Sequence, residues 1–243
     1  MKTPAPEKVS QSTLTFKVEE IEPLLSKYSM DLPPLEPLAI QIGSGETLVI
    51  RPLKKEEVPA YLQYLKKVMD VDHDFYDIVG VRVYAELLGW YRNRLKDPYQ
   101  FVGLIDGQLV GLGNGRLVNE DLAISLHSMA YRRGGKIGAI MYYVKTMYVF
   151  DIVGVSELHS TFESYNGWKR YGLGFAQPQY PWPDYQHELG GATVSYITKD
   201  YWDRVVKKYI SDYIGLPQDG LRKATKQEIA KNEKMILPEK ATV

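Results

Sequence analysis

The chain has 243 residues, 44% of them hydrophobic and 25% charged, with 30 basic residues balanced by 30 acidic ones and no cysteine. That length supports one sizeable core or two small ones. Zero net charge leaves no global field toward nucleic acid or an anionic membrane, so neither is an expected partner, and the missing thiols exclude disulfides, thiolate catalysis and cysteine-based zinc sites.

Residues 1 to about 15 are polar and proline-containing and are expected to be mobile. "MKTPAPEKVSQ" has no apolar segment of the kind a signal peptide needs, and no apolar run approaches the ~20 residues that span a bilayer, so a cytoplasmic protein is expected. "FKVEEIEPLLSKY" spaces Phe16, Ile21, Leu24 and Leu25 near helical intervals, with Pro23 limiting the helix to a short one. "MDLPPLEPL" is too rich in proline for regular structure. Residues 1–44 thus read as an arm, 45–202 as the main domain, and 203–243 as a helix with a charged tail.

"TLVIRPL" alternates like a strand, and Val58, Leu62, Leu65, Val68 and Met69 mark one face of a helix after it. A second helix is expected over about 79–96, with Val83, Leu87, Leu88, Tyr91 and Leu95 in phase. "QFVGLID" and "QLVGLGNGRLV" meet at Asp106-Gly107, a strong hairpin signal. "LAISLHSMAY" is a further strand, and it leads into "YRRGGKIGAIM", where Arg132, Arg133, Gly134, Gly135, Lys136, Ile137 and Gly138 precede the helix "GAIMYYVKTMYVF". "SELHSTFES" reads as a strand, and "YNGWKRYGLGF" as a short helix closed by Gly172 and Gly174. "GATVSYITKDYW" reads as a strand, and "DRVVKKYISDYIG" as a helix. The order β-α-α-β-β-β-α-β-α-β implies an α/β domain with a mixed, hairpin-rich sheet.

A strand, a glycine-rich turn and a helix start present several backbone N–H groups in one direction, with the helix dipole behind them. Arg132, Arg133 and Lys136 add charge at the rim. Those features suit a pyrophosphate, although the spacing matches neither a P-loop nor a dinucleotide fingerprint; an exposed basic turn is the competing reading. The four histidines, at 73, 127, 159 and 187, lack metal-like spacing, so no metal is expected.

The ordered set "LVIRPLKKEEVPAYL", "FVGLIDGQLVGLGNGRL", "RRGGKIGAIM" and "ESYNGWKRYGLGF" resembles the GNAT acyltransferase superfamily over about residues 46–200. The resemblance implies a mixed, mostly antiparallel central sheet with helices on both faces, opened into a V near Ser128–Ala130. It implies acetyl-CoA, or another acyl-CoA, as donor and an amine as acceptor. "RRGGKIGAIM" is similar to the Arg/Gln-x-x-Gly-x-Gly/Ala pyrophosphate loop in two registers. From Arg133 the last glycine is Gly138 but Lys136 replaces the middle one; from Arg132 Gly135 fits but Ile137 fills the last position.

The same resemblance implies that a backbone N–H among Ser128, Met129 and Ala130 receives the thioester oxygen, and that a tyrosine protonates the leaving thiolate. The family's tyrosine position holds Arg170 here, so Tyr171 is the candidate acid. His127 is the candidate base, with packing as the alternative, and Glu120 and Asp121 read better as a solvated turn. Asn166 is a cap or turn residue or a pantetheine contact. Tyr180, Trp182, Tyr185 and His187, in "YPWPDYQHE", stand where this family shapes its acceptor pocket and read either as a substrate wall or as a loop stiffened by proline and aromatic packing. Two functions follow: an acyl-CoA-dependent N-acyltransferase, or a GNAT-fold binding or assembly protein without catalysis. The terminal extensions are the expected route to a homodimer or a protein partner.

Overall fold

The computed structural model describes residues 31–95, 98–162, 164–172, 174, 194–216 and 221–241. The polar start, the short helix in "FKVEEIEPLLSKY" and the "YPWPDYQHE" loop, with Tyr180, Trp182, Tyr185 and His187, lie outside these residues.

Among the described residues one mixed sheet contains β1 (Leu38–Gln41), β2 (Thr47–Pro52), β3 (Pro98–Ile105), β4 (Gln108–Leu117), β5 (Leu122–Ala130), β6 (Glu157–Thr161), β7 (Val194–Thr198) and β8 (Arg222–Lys223). Their spatial order is β7-β6-β5-β4-β3-β2-β1-β8. Only β5 and β6 pair parallel; every other neighbour is antiparallel. The expected mostly antiparallel sheet with helices on both faces is therefore present.

One face carries α1 (Val58–Val68) and α2 (Tyr76–Tyr91), whose Val58, Leu65, Val83 and Leu87 pack on Leu104, Leu109 and Leu112. α2 starts three residues before the sequence-based boundary and ends at Tyr91. Left-handed Asp74 and Phe75 set its start, and left-handed Asn93 turns the chain away after it. The other face carries α3 (Ile137–Met147), which continues through a π-helical stretch, Tyr148–Val153. Short helices α4 (Tyr165–Gly167) and α5 (Lys199–Tyr201) run into π-helical turns Trp168–Gly172 and Trp202–Val206, and the second of these leads into α6 (Lys207–Ile214).

α3 is buried nearly all round because the sheet lies beneath it and α6 packs against it. Glycines in the hairpin let it approach closely. A Cβ on Gly111 would stand 2.8 Å from Ile137, and one on Gly113 would stand 3.1 Å from the Met141 carbonyl. This contact fixes where the N-terminus of α3 emerges beside β5.

The chain ends are stitched to the sheet more closely than the arm-and-tail division implies. β1 pairs with β2 across the turn 42–46, so a boundary at residue 44 cuts a hairpin. The strand escaped detection because it is four residues long and directly follows Pro37. In the C-terminal region β8 pairs with β1, α7 (Lys226–Lys231) follows, and Ile236 bridges to Gln108. Buried Arg51 grips the Glu57 carboxylate with two bonds, at 2.9 and 2.6 Å, and donates to the Asn232 carbonyl at 3.0 Å. The tail is charged but packed, because Met235 enters the α1/α2 core.

Candidate functional site

β5 and β6 pair only over Leu122–Ser125 and Glu157–Ser160. Beyond Ser125 the two strands have no shared register, and a cleft of about 480 Å³ opens there. Ser128, Ala130, Tyr142, Phe162 and Tyr171 are among its walls, and the loop from Arg132 to Gly138 forms its mouth. The opening starts slightly earlier than the expected Ser128–Ala130.

A bulge shapes the cleft wall. Gly113 faces Ser128 and Gly115 faces Ser125, so Asn114 alone opposes Leu126 and His127. The Asn114 side chain fills the gap and accepts from the His127 N–H at 2.9 Å. After the bulge, the Tyr131 N–H bonds to the Val110 carbonyl on β4 at 2.8 Å. Strand alternation then turns the Met129 amide toward β4 and the Ser128 and Ala130 amides toward the opening. The Met129 side chain lies in the α1/α2 core. Of the three candidate oxyanion donors, Ser128 and Ala130 have the suitable direction and Met129 does not. The Ser128 hydroxyl is buried and has no partner among the described residues.

His127 is buried on the opposite face of the bulge, with its Nε2 3.0 Å from Glu86 Oε1 of α2. A carboxylate only accepts, so Nε2 carries the hydrogen and Nδ1 is left as an acceptor in the neutral ring. That Nδ1 is buried without a hydrogen-bond partner among the described residues, and His127 lines the cleft. Asn114 Nδ2 also donates to Glu86, at 2.5 Å. Beneath the bulge the Lys145 ammonium, itself 1% exposed, donates to the His127 carbonyl at 2.7 Å and the Asn114 carbonyl at 3.2 Å. Glu86, Asn114 and Lys145 were missed in the sequence. The available signal was a polar residue beside small or apolar neighbours, Glu86 between Ala85 and Leu87, Asn114 between Gly113 and Gly115, and Lys145 after Val144.

The loop is a run of three left-handed residues, Gly134 (φ 87), Gly135 (φ 63) and Lys136 (φ 57), directly before α3. Lys136 therefore occupies the backbone conformation that glycine takes without strain. Its ammonium bonds to the Tyr213 carbonyl at the end of α6 and lies 4.9 Å from the Tyr213 ring centre. Arg132 makes a two-bond contact with Glu46, at 3.0 and 2.6 Å; the hydrogen bonds from Arg132 and then Ser44 hold the Glu46 carboxyl down to about 2. Arg133 is exposed and has no hydrogen bond or ion pair among the described residues. Gly138 is inside the helix without a positive φ, and a Cβ there would meet only Ala130, at 3.9 Å. Backbone strain in the loop therefore falls on Lys136, whereas Gly134 and Gly135 take positive φ without it.

Tyr171 stacks on Tyr142 with ring centres 4.4 Å apart. Burial, then Tyr142 and Tyr213, push its phenol well above the ordinary tyrosine value. Asn166 is not the cap of α4: Ser164 accepts from the Gly167 N–H at 3.0 Å. Asn166 instead reaches Asp74, in the α1–α2 loop, at 3.5 Å. Glu120 and Asp121 lie in an exposed turn at the far end of β5, where Asn119 Oδ1 accepts from the Asp121 and Leu122 N–H groups.

The chain has the GNAT fold. It superposes on FdhC, described as a nucleotide-linked sugar GNAT, with a TM-score of 0.52, 11% identity and coverage of 73% of this chain and 97% of that one. RimJ of Mycobacterium smegmatis, in complex with CoA-disulfide, gives 0.50, 14%, 77% and 95%. A GCN5-related N-acetyltransferase from Brucella melitensis gives 0.50, 15%, 82% and 95%. No protein-family model and no curated protein matches the sequence. In this GNAT fold, none of the helices among the described residues is long and apolar enough to cross a membrane.

Proposed function

We propose that this protein is an acyl-CoA-dependent N-acyltransferase, with acetyl as the transferred group and a small-molecule or protein amine as acceptor. The observation that carries this reading is the open edge of β5, where Ser128 and Ala130 turn their amides into a cleft whose mouth is the loop before α3. The RimJ structure, which holds CoA-disulfide in a related fold, supports it. In this reading Arg133 and the amides of 133–138 receive the pyrophosphate, aided by the α3 dipole. Lys136 contributes its N–H, while its ammonium braces α6.

The amine nitrogen attacks the thioester carbon, and the carbonyl oxygen gains negative charge facing the Ser128 and Ala130 N–H groups. The amine proton passes to His127 Nδ1, with Glu86 supporting the imidazolium that forms. The carbon–sulfur bond breaks, and the thiolate takes a proton from the Tyr171 phenol, which is restored from solvent. Burial keeps that phenol protonated, so a proton is in place when the thiolate forms.

A second reading, a GNAT-fold binding or assembly protein without turnover, is favoured by the commitment of Arg132 to Glu46 and of Lys136 to Tyr213. Calorimetry with CoA and with pantetheine, followed by assay of amine-dependent CoA release, separates the readings. Tighter binding of CoA with amine-dependent release is expected. Tight CoA binding without release establishes the second reading, and equal, weak binding of both ligands removes the pyrophosphate site altogether.

A further inference from the structure

The open edge of β5 ends at Ala130, and one of that residue's backbone groups is already taken. The Tyr131 N–H bonds to Val110 on β4, so the residue before it presents both its N–H and its carbonyl away from β4. The Tyr76 hydroxyl, at the start of α2, donates to that carbonyl at 2.9 Å. Ala130 and Tyr76 both line the cleft. A side chain from another element thus makes the bond that a chain pairing along this edge would make.

The residues before Tyr76 reach the other wall. Asp74 accepts from Asn166 of α4 at 3.5 Å, and both of these residues line the cleft. Asp74 and Phe75 are consecutive left-handed residues, φ 50 and φ 62, and neither is glycine. Such a pair is strained, above all at the phenylalanine. Phe75 is 47% exposed, so burial offsets little of that strain. The connection is held across the gap against its own backbone preference, with Tyr76 as its fastener on β5.

We infer that residues 74–76 form a self-inhibitory strap: the Tyr76 phenol occupies the β5 edge in place of the donor's amide arm, and the arm displaces it on binding. The arm of CoA is an extended chain with amide groups, which suits an open strand edge. When an arm N–H takes the Ala130 carbonyl, the Tyr76 hydroxyl is released to solvent. Asp74 and Phe75 then leave the left-handed region, and the strain they give up offsets part of the lost hydrogen bond. Only hydrogen bonds are exchanged. The inference rests on the acyl-CoA reading for the identity of the arm and needs no turnover.

The test is calorimetry with CoA on the full chain and on Tyr76→Phe. This variant frees the carbonyl and keeps the ring, so CoA should bind about threefold to tenfold tighter, the scale of one neutral hydrogen bond. ADP, which has the diphosphate without the arm, should bind both proteins equally. Tyr84→Phe, on the same helix but not among the described residues of the cleft wall, should leave CoA affinity unchanged. Hydrogen exchange gives a second readout. CoA should speed exchange over residues 74–79 of the unaltered protein, where a ligand that merely covered the segment would slow it. In Tyr76→Phe that exchange should be fast before CoA is added. Unchanged or weaker CoA binding by Tyr76→Phe, the same gain with ADP or in Tyr84→Phe, or slower exchange over 74–79 with CoA overturns the inference. CoA binding that ignores Tyr76 leaves the acyltransferase reading standing. Absence of CoA binding by either protein removes the donor site and the inference together.

Discussion

The Lys145 ammonium donates to the His127 carbonyl from beneath the bulge, 2.7 Å away, joining α3 to the strand that lines the cleft. It also satisfies the Asn114 carbonyl. Lys145→Met keeps most of the volume but orphans both acceptors. Each buried carbonyl left unpaired costs ~1–3 kcal/mol, so the expected loss for the two is roughly 2–6 kcal/mol in urea unfolding. A change below half a kcal/mol would mean that water replaces the ammonium.

Glu86 should matter through His127. Glu86→Gln removes the charge that supports the imidazolium, and kcat is expected to fall about tenfold to hundredfold. CoA affinity should stay within twofold, because Glu86 is not among the described residues that line the cleft or its mouth. Steady-state kinetics beside calorimetry checks this; parallel losses in both would assign Glu86 to folding.

Tyr171→Phe preserves the stack on Tyr142 and removes only the phenol. Turnover should drop about tenfold or more at unchanged acetyl-CoA affinity, since the proton is needed as charge develops on sulfur. Unchanged turnover would leave water as the proton source.

The loop is tested by Gly135→Val. A β-branched residue at φ 63, with its Cβ 2.9 Å from Ile42, should distort the turn and weaken CoA binding more than tenfold. Lys136→Gly relieves a left-handed lysine, and CoA affinity should hold. Arg133→Ala should lower CoA affinity roughly fivefold to tenfold and leave pantetheine unaffected, the scale of one charge-assisted contact. Calorimetry with both ligands reads all three variants.

Alkali should unfold the protein in one step. Burial pushes the Tyr64 and Tyr148 phenols up to about 12, and those of Tyr61, Tyr99 and Tyr131 further. Below pH 10 both states hold these protons and the contribution is intact. Above it only the unfolded chain releases them, so stability falls by up to ~1.4 kcal/mol per pH unit for each group. Phenolate absorbance should rise together with the loss of helical circular dichroism between pH 10 and 12. Gradual titration near pH 10 without loss of helix would contradict the burial.

The element order was readable because the longer strands and helices between Thr47 and Ile214 carry their own periods, and because Asp106-Gly107 names its turn. β1 and β8 were not, since four and two residues hold no period and their pairing partners are distant in sequence. In the site, the loop from Arg132 to Gly138 was visible as composition, and His127 as a histidine on a strand. Its partner Glu86 comes from α2, 41 positions away, where it is indistinguishable from a solvated helical carboxylate.

By itself the sequence determined the succession of elements, the glycine turn before a buried helix, and the absence of thiol chemistry, all of which are local properties of residue type and spacing. Only the tertiary structure decided which strands part after Ser125, which amides face the gap, and which cations are already engaged. Those depend on a bulge register, on helix packing over Gly111 and Gly113, and on contacts such as Lys136 with Tyr213 and Arg132 with Glu46. Each joins residues far apart in the chain, and neither hydrophobic period nor turn chemistry carries information over that separation.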